Sequence, residues 1–165
     1  MKRTAIAIVG YSNSGKTRVA TALIRNLAAR GLRVAAVKHC HHPLQLDPPG
    51  KDSAKLLAAG AARVIATSPG HVASVQQVEG DPLLDQVVAL LDNSYDLIVA
   101  EGFKNSTGPK VLVLGAEPMW PWPAGVIAVV SPRPIETPST VPVYSFEDVN
   151  ALAGQILEES YEGFS

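Results

Sequence analysis

Residues Gly10 to Thr17 read GYSNSGKT, and the pattern G-x-x-x-x-G-K-[ST] suits phosphate chemistry. Small residues let the main chain curl until its N–H groups converge on phosphate oxygens. A helix starting directly behind such a stretch adds the positive end of its dipole. In this pattern the lysine, Lys16, reaches the terminal phosphates and the threonine, Thr17, ligates Mg²⁺. The candidate ligand contacts are Gly10, Ser12, Asn13, Ser14, Gly15, Lys16, Thr17 and the adjoining Arg18. A plain Gly/Ser turn is the bland alternative. The flanks argue against it, since an apolar run, Ala5 to Val9, enters the stretch and an amphipathic run leaves it.

A phosphate loop needs an acidic group near its metal, usually from the end of a neighbouring strand. DLIVAEGFK supplies Glu101 directly behind an apolar run. Asp96 opens the same run and therefore falls at the opposite end of the sheet. Ligands of parallel sheets gather at the carboxyl ends of the strands, which selects Glu101 to hold Mg²⁺ or orient an attacking water. Lys16 and Glu101 are thus the candidate catalytic groups, with Thr17, Glu101 and Asp52 the candidate metal ligands. Asp52 qualifies because it follows the loop after the second expected strand.

That loop, in KHCHHPLQLDPPGKDS, carries three histidines and the single cysteine, Cys40. Their spacing matches no standard zinc finger or ribbon. On extended chain, adjacent side chains such as His41 and His42 point opposite ways. The placement favours anion contact instead, with Lys38, His39 and Lys51 beside the phosphate loop. A polar loop tied by its own hydrogen bonds is the alternative. A second loop, EPMWPWPAG, sets Trp120 and Trp122 among prolines, either to dock a partner or to fold back on the sheet.

Positioning these residues requires strands alternating with helices. Ala5–Val9 reads as a strand buried on both faces. Lys16–Arg30 reads as a helix from Val19, Leu23 and Leu27, with Gly31 ending it. RVAAVK follows as a second strand, which implies a parallel sheet. Asp52 or Ser53 is expected to cap a short helix through Ala59. Arg63–Thr67 and Val72–Val78 read as extended runs with Pro69 and Gly70 turning between them. Asp81 and Pro82 are expected to open a helix through about Leu91. YDLIVA, KVLVLG and GVIAVV complete the strands. Ser145 is expected to begin a last helix, with Asp148 completing a capping-box-like pattern. The reading is a single α/β three-layer domain over residues 1–160, with 161–165 a frayed tail.

Bulk properties narrow the function. At 165 residues, with 47% hydrophobic and 18% charged, the chain suits one folded domain rather than a disordered segment. A net charge of −1 argues against nucleic acid or an anionic membrane as partner. One cysteine permits no intrachain disulfide, in keeping with a reducing cytoplasm. No run approaches the ~18 apolar residues of a membrane span. The apolar run near the N-terminus is too short for a secretory signal.

Three blocks in order, GYSNSGKT, then VKHCHH…D…GKDS, then DLIVAEGFK, resemble the MobB family of molybdopterin-guanine dinucleotide biosynthesis adaptor proteins. The resemblance implies a P-loop NTPase fold of the dimerising class, with a mostly parallel sheet and room for β-hairpin extensions. It implies GTP and Mg²⁺ as cofactors, weak GTP hydrolysis and a homodimer. It also implies a partner, the guanylyltransferase MobA, which joins GMP to molybdopterin, with molybdopterin as a candidate further ligand. Many GTP-binding proteins read guanine through an Asn-Lys-x-Asp motif. Here the strand GVIAVV ends in Ser131-Pro132-Arg133 instead, so guanine preference comes from the resemblance alone. Two other readings use the same loop: a small-metabolite kinase, and an adaptor that binds nucleotide without hydrolysing it. A kinase calls for a lid of clamping arginines, and the arginines of this chain do not cluster in such an insertion.

Overall fold

The computed structural model describes residues 4–40, 42, 44, 51–116, 121–137 and 140–162. Two compact units emerge. The larger holds residues up to His39 and from Leu83 onward, and the smaller runs from Cys40 to Pro82.

In the larger unit a six-stranded sheet is parallel throughout. Its strands are β1 (Thr4–Val9), β2 (Val34–Lys38), β5 (Leu97–Glu101), β6 (Lys110–Val113), β7 (Val126–Val130) and β8 (Val143–Tyr144). They lie in the order β2-β5-β1-β6-β7-β8. Strand β1 sits inside the sheet, and Ile6 to Val9 are buried on both faces. That is why the run reads as unbroken apolar residues rather than an alternation. The two-residue strand β8 extends the edge in register with β7; the sequence reading missed it because so short a run has no periodicity to detect.

Helices α1 (Lys16–Ala29) and α4 (Val149–Glu162) pack on one face of the sheet. Val19, Leu23 and Leu27 of α1 meet Leu152 and Ile156 of α4 there, all essentially inaccessible to water. Each such side chain contributes about 1.5–3 kcal/mol by burial. Helix α1 ends as expected: Gly31 adopts φ +86°, Leu32 N–H donates to Leu27 O (3.3 Å) and Gly31 N–H to Ala28 O (2.9 Å). This pair of bonds is a Schellman closure, which needs the left-handed residue that glycine supplies.

The other face carries α3 (Leu84–Val88), Phe103, Trp122 and Ile135 around Val9, Ala100 and Leu112. The three layers are therefore helix, sheet, and helix with loops, as expected. Trp122 folds back onto this face rather than standing out; Trp120 lies outside the described residues.

Three helix starts differ from the sequence reading. Helix α3 begins at Leu84, not Pro82, and stops at Val88. Leu83 is its N-cap, and Gln86 Oε1 accepts the Leu83 N–H at 2.8 Å. Helix α4 begins at Val149 rather than Ser145. The Ser145–Asp148 bonds do form, with Ser145 Oγ donating to Asp148 Oδ2 at 2.7 Å, but they close a turn one step ahead of the helix. In the smaller unit, α2 (Asp52–Ala58) has Lys51 at its N-cap, so Asp52 occupies the first turn instead of the cap.

The smaller unit also contains a hairpin of β3 (Arg63–Ser68) and β4 (His71–Gln76), antiparallel about Pro69-Gly70. Gly70 takes φ +78°, a value that suits the third residue of a Pro-Gly turn. Val64 is buried, while Ile65 and Val72 are 60% and 74% exposed.

One feature at the amino end of the sheet has no counterpart in the sequence reading. Lys110, the first residue of β6, is 1% exposed. Its Nζ donates to the carbonyls of Ser106, Gly108 (3.1 Å) and Ala124 (2.7 Å), which satisfies all three donors. A lysine this buried is tolerated only when so paired. Burial holds its pKa below the usual lysine value.

Candidate functional site

The stretch between β1 and α1 curls through three left-handed residues: Gly10 at φ +155°, Asn13 at +60° and Gly15 at +99°. The two glycines are sterically required. A Cβ at Gly10 would lie 2.2 Å from Val113 O, and one at Gly15 would lie 2.7 Å from the Phe146 ring. Among the described residues no side chain caps α1, which leaves its first N–H groups open to an external acceptor. Lys16 Nζ donates to Tyr11 O at 2.7 Å, across the loop it would serve. Ser14 Oγ is buried and has no hydrogen-bond partner among the described residues. Ser12 and Asn13 are exposed at the tip.

Glu101 ends β5, the strand next to β1, at the same edge of the sheet as the loop. Thr17 Oγ1 donates to Glu101 Oε2 at 2.8 Å, joining residues 84 positions apart. Lys38, at the end of β2, sets its Nζ 3.5 Å from the other carboxylate oxygen. Register places Lys38 directly opposite Glu101. The next residue, His39, donates its N–H to Glu101 O at 2.9 Å and meets the Phe103 ring at 5.0 Å. Phe103 itself takes φ +56°, unusual for a bulky residue. Gly102 before it is needed because a Cβ there would lie 2.9 Å from that of His39. Asp96, by contrast, accepts Arg33 N–H at 2.7 Å at the opposite end of β5, where the sequence reading put it.

The oxygens of Thr17 and Glu101 form a hard donor pair that fits Mg²⁺. Lys16 and the uncapped helix start bring positive charge to the same mouth. Arg18 does not join this group. It pairs with Glu147 at 3.1 Å and lies over the Phe146 ring at 4.8 Å. Lys51 and Asp52 belong to the smaller unit, where Asp52 faces Lys55 at 3.7 Å. No cluster of three metal-binding side chains occurs among the described residues; His41 lies outside them.

The sequence reading did not foresee the contact of Phe146 with Gly15. Nothing in the pattern of Ser145 to Asp148 marks a residue that touches a loop 131 positions earlier. The glycine of G-K-T is legible as a phosphate-loop residue, but the ring that makes it obligatory is a tertiary fact.

The sequence profile of "Molybdopterin guanine dinucleotide synthesis protein B" matches residues 5–132 of this chain. The chain belongs to the MobB family. The matched segment spans β1 through β7, hence the phosphate loop, Lys38 and Glu101. Among curated relatives, the molybdopterin-guanine dinucleotide biosynthesis adapter protein of Haemophilus influenzae is 36% identical over 140 residues, covering 82% of this chain and 79% of its own. That of Escherichia coli K12 is 35% identical over 161 residues, covering 93% and 91%. The crystal structure of a MobB protein homolog from Bacillus stearothermophilus superposes with a TM-score of 0.72 at 26% identity, covering 94% of this chain and 96% of that one. The MobB fold is therefore shared along nearly the whole length. Among the described residues, no helix is long and apolar enough to cross a membrane.

Proposed function

We propose that this chain is a cytoplasmic, GTP-binding adapter in the conversion of molybdopterin to its guanine dinucleotide, acting beside a MobA-like guanylyltransferase. The observation that carries the nucleotide half of this reading is the 2.8 Å contact between Thr17 and Glu101. It gathers two of the three candidate metal ligands, Thr17 and Glu101, at the mouth of a loop whose main chain curls as phosphate contact requires. The adapter half rests on family membership and on the adapter role for which the Haemophilus influenzae and Escherichia coli relatives are named.

In this reading the loop N–H groups and Lys16 hold the β- and γ-phosphates. Thr17 and Glu101 hold Mg²⁺, which supplies charge neutralisation of the phosphate oxygens. Lys38 keeps the Glu101 carboxylate in place when the metal is absent. Hydrolysis is slow in this reading, because among the described residues no arginine finger is evident in the phosphate loop or beside Glu101, and Arg18 pairs with Glu147 instead. Turnover then stays far below the ~10 s⁻¹ typical of enzymes. Pairing of two copies through the hairpin of the smaller unit completes the proposal. An isolated two-stranded sheet with Ile65 and Val72 exposed is marginal alone. Sedimentation showing only a 17.4 kDa species at high concentration would remove that part.

The deciding experiment is calorimetric titration of GTP, with and without Mg²⁺, into the wild type and Lys16→Ala. Loss of one charge-assisted contact predicts about 10- to 100-fold weaker binding. Unchanged affinity in the variant overturns the nucleotide reading.

A further inference from the structure

Beyond the phosphate loop, the carboxyl edge of the sheet holds a cavity of about 370 Å³. Its apolar walls come from Pro132, Pro134 and Ile135, which follow β7, and from Tyr144 of β8. Arg133 contributes the charge, and no aspartate or glutamate lines the cavity among the described residues. The volume falls within the ~300–1,000 Å³ of small-molecule sites, which typically combine apolar walls with a few fixed polar groups.

Two details tie the cavity to the phosphate loop. First, β7 is two strands from β1 in the sheet order, roughly 10 Å at the ordinary ~4.8 Å strand spacing. A nucleoside can bridge that separation from its phosphates. Second, Ser145 lines the cavity, and the next residue, Phe146, rests on Gly15 of the loop.

Arg133 is also held in place before any ligand arrives. Ser131 Oγ donates to Arg133 O at 2.7 Å and accepts Arg133 N–H at 3.3 Å, which locks the turn. The guanidinium donates through Nη2 to Ala116 O. Five N–H groups leave donors to spare.

We infer that this cavity is the nucleobase subsite and that Arg133 selects guanine there by donating to O6 and N7. Guanine presents two acceptors on that edge, whereas adenine replaces O6 with an N6 amino donor. Arginine meets the first pair with two hydrogen bonds and the second with a donor against a donor. With no carboxylate lining the cavity among the described residues, the guanine N1 and 2-amino groups are left out of the selection in this inference. This is the reverse of reading guanine through an aspartate. The inference rests on the nucleotide reading above and adds to it the edge of the base that is read.

The test is calorimetry of the whole chain with GTP, ITP, 7-deaza-GTP, ATP and inorganic tripolyphosphate, for wild type, Arg133→Ala and Arg133→Gln. ITP keeps O6 and N7 but lacks the 2-amino group, and it should bind within about threefold of GTP. ATP should bind about 5- to 150-fold more weakly, the range of one bidentate pair, and 7-deaza-GTP, which keeps O6 and loses only N7, should fall between GTP and ATP. Both Arg133 variants should bind GTP no better than ATP while keeping wild-type affinity for tripolyphosphate, which also reports that the loop is folded. If ITP falls to the level of ATP, or the variants keep the preference for GTP, the Arg133 inference fails. If tripolyphosphate binds but wild type treats GTP and ATP alike, the base subsite fails and the phosphate loop stands. If neither tripolyphosphate nor any nucleotide binds, the nucleotide reading falls and takes the subsite with it.

Discussion

Replacing Gly15 by alanine tests how the loop is held, and the structure sets the size of the effect. Gly15 sits at φ +99°, where an L-residue is strained. Left-handed backbone costs a residue with a Cβ about 1–2 kcal/mol. The added Cβ would also lie 2.7 Å from Phe146 Cε1 and 3.0 Å from Cζ, closer than real Cβ contacts. The ring must then move from its place between Gly15 and the Arg18 guanidinium, and overpacking of this kind costs about 1–3 kcal/mol. The expected destabilisation is about 2–5 kcal/mol, a large part of the ~5–15 kcal/mol that holds a domain folded. Denaturant midpoints of wild type, Gly15→Ala, Phe146→Ala and the double variant separate the two contributions. Removing the ring should relieve the clash and leave only the backbone strain. Gly15→Ala should therefore cost about 1–3 kcal/mol less in the Phe146→Ala background. If the two substitutions add to within about 0.5 kcal/mol, the ring does not hold the loop as described.

Two further outcomes follow from the site. Glu101→Gln keeps an oxygen for Thr17 but removes the charge that faces Lys38 and the metal, so Mg²⁺ should no longer strengthen GTP binding, while metal-free binding holds or improves. Titration with and without Mg²⁺ reads this, and an undiminished Mg²⁺ enhancement would rule out Glu101 as a metal group. Ser145→Ala removes the main hydrogen bond that holds the Asp148 carboxyl below its usual 3.8, ahead of the second bond from the Ser145 main chain. A depressed carboxyl pKa gives stability that is present above 3.8 and lost as the pH falls through the lower folded value. The variant should thus lower the melting temperature at pH 7 and by less in acid, where only the Glu147 N–H bond to Ser145 Oγ is still lost; an equal deficit at both pH values would refute the linkage.

The curl between β1 and α1 was legible because its causes are local. Eight consecutive residues must make one curl, and the glycine, lysine and threonine each have a place in it. The strands β1, β5, β6 and β7 were legible for a related reason. A strand buried on both faces is an unbroken apolar run. Glu101 could be chosen over Asp96 because strand polarity decides which end of a run meets the ligand, and the two carboxylates do sit at opposite ends of β5.

Helix starts were less legible. Asp81-Pro82 carries good capping chemistry, yet the N-cap of α3 is Leu83, whose N–H Gln86 accepts. Competing caps a few residues apart differ by about 1 kcal/mol or less, so packing of Leu84 into the sheet face decides between them. The same balance shifts the start of α4, where burial of Val149 and Leu152 fixes the helix and leaves Ser145 outside it.

What the sequence alone determined is the curled glycine-lysine-threonine stretch between β1 and α1, the alternation of strands and helices, and the edge of the sheet on which Glu101 lies. These depend on neighbours in the chain. Only the tertiary structure decided that Lys38 and Thr17 flank one carboxylate, that Phe146 leans on Gly15, and that Arg133 stands in a cavity two strands from the loop. Those contacts join residues far apart in sequence, and they arise from sheet order and register, which no local pattern encodes.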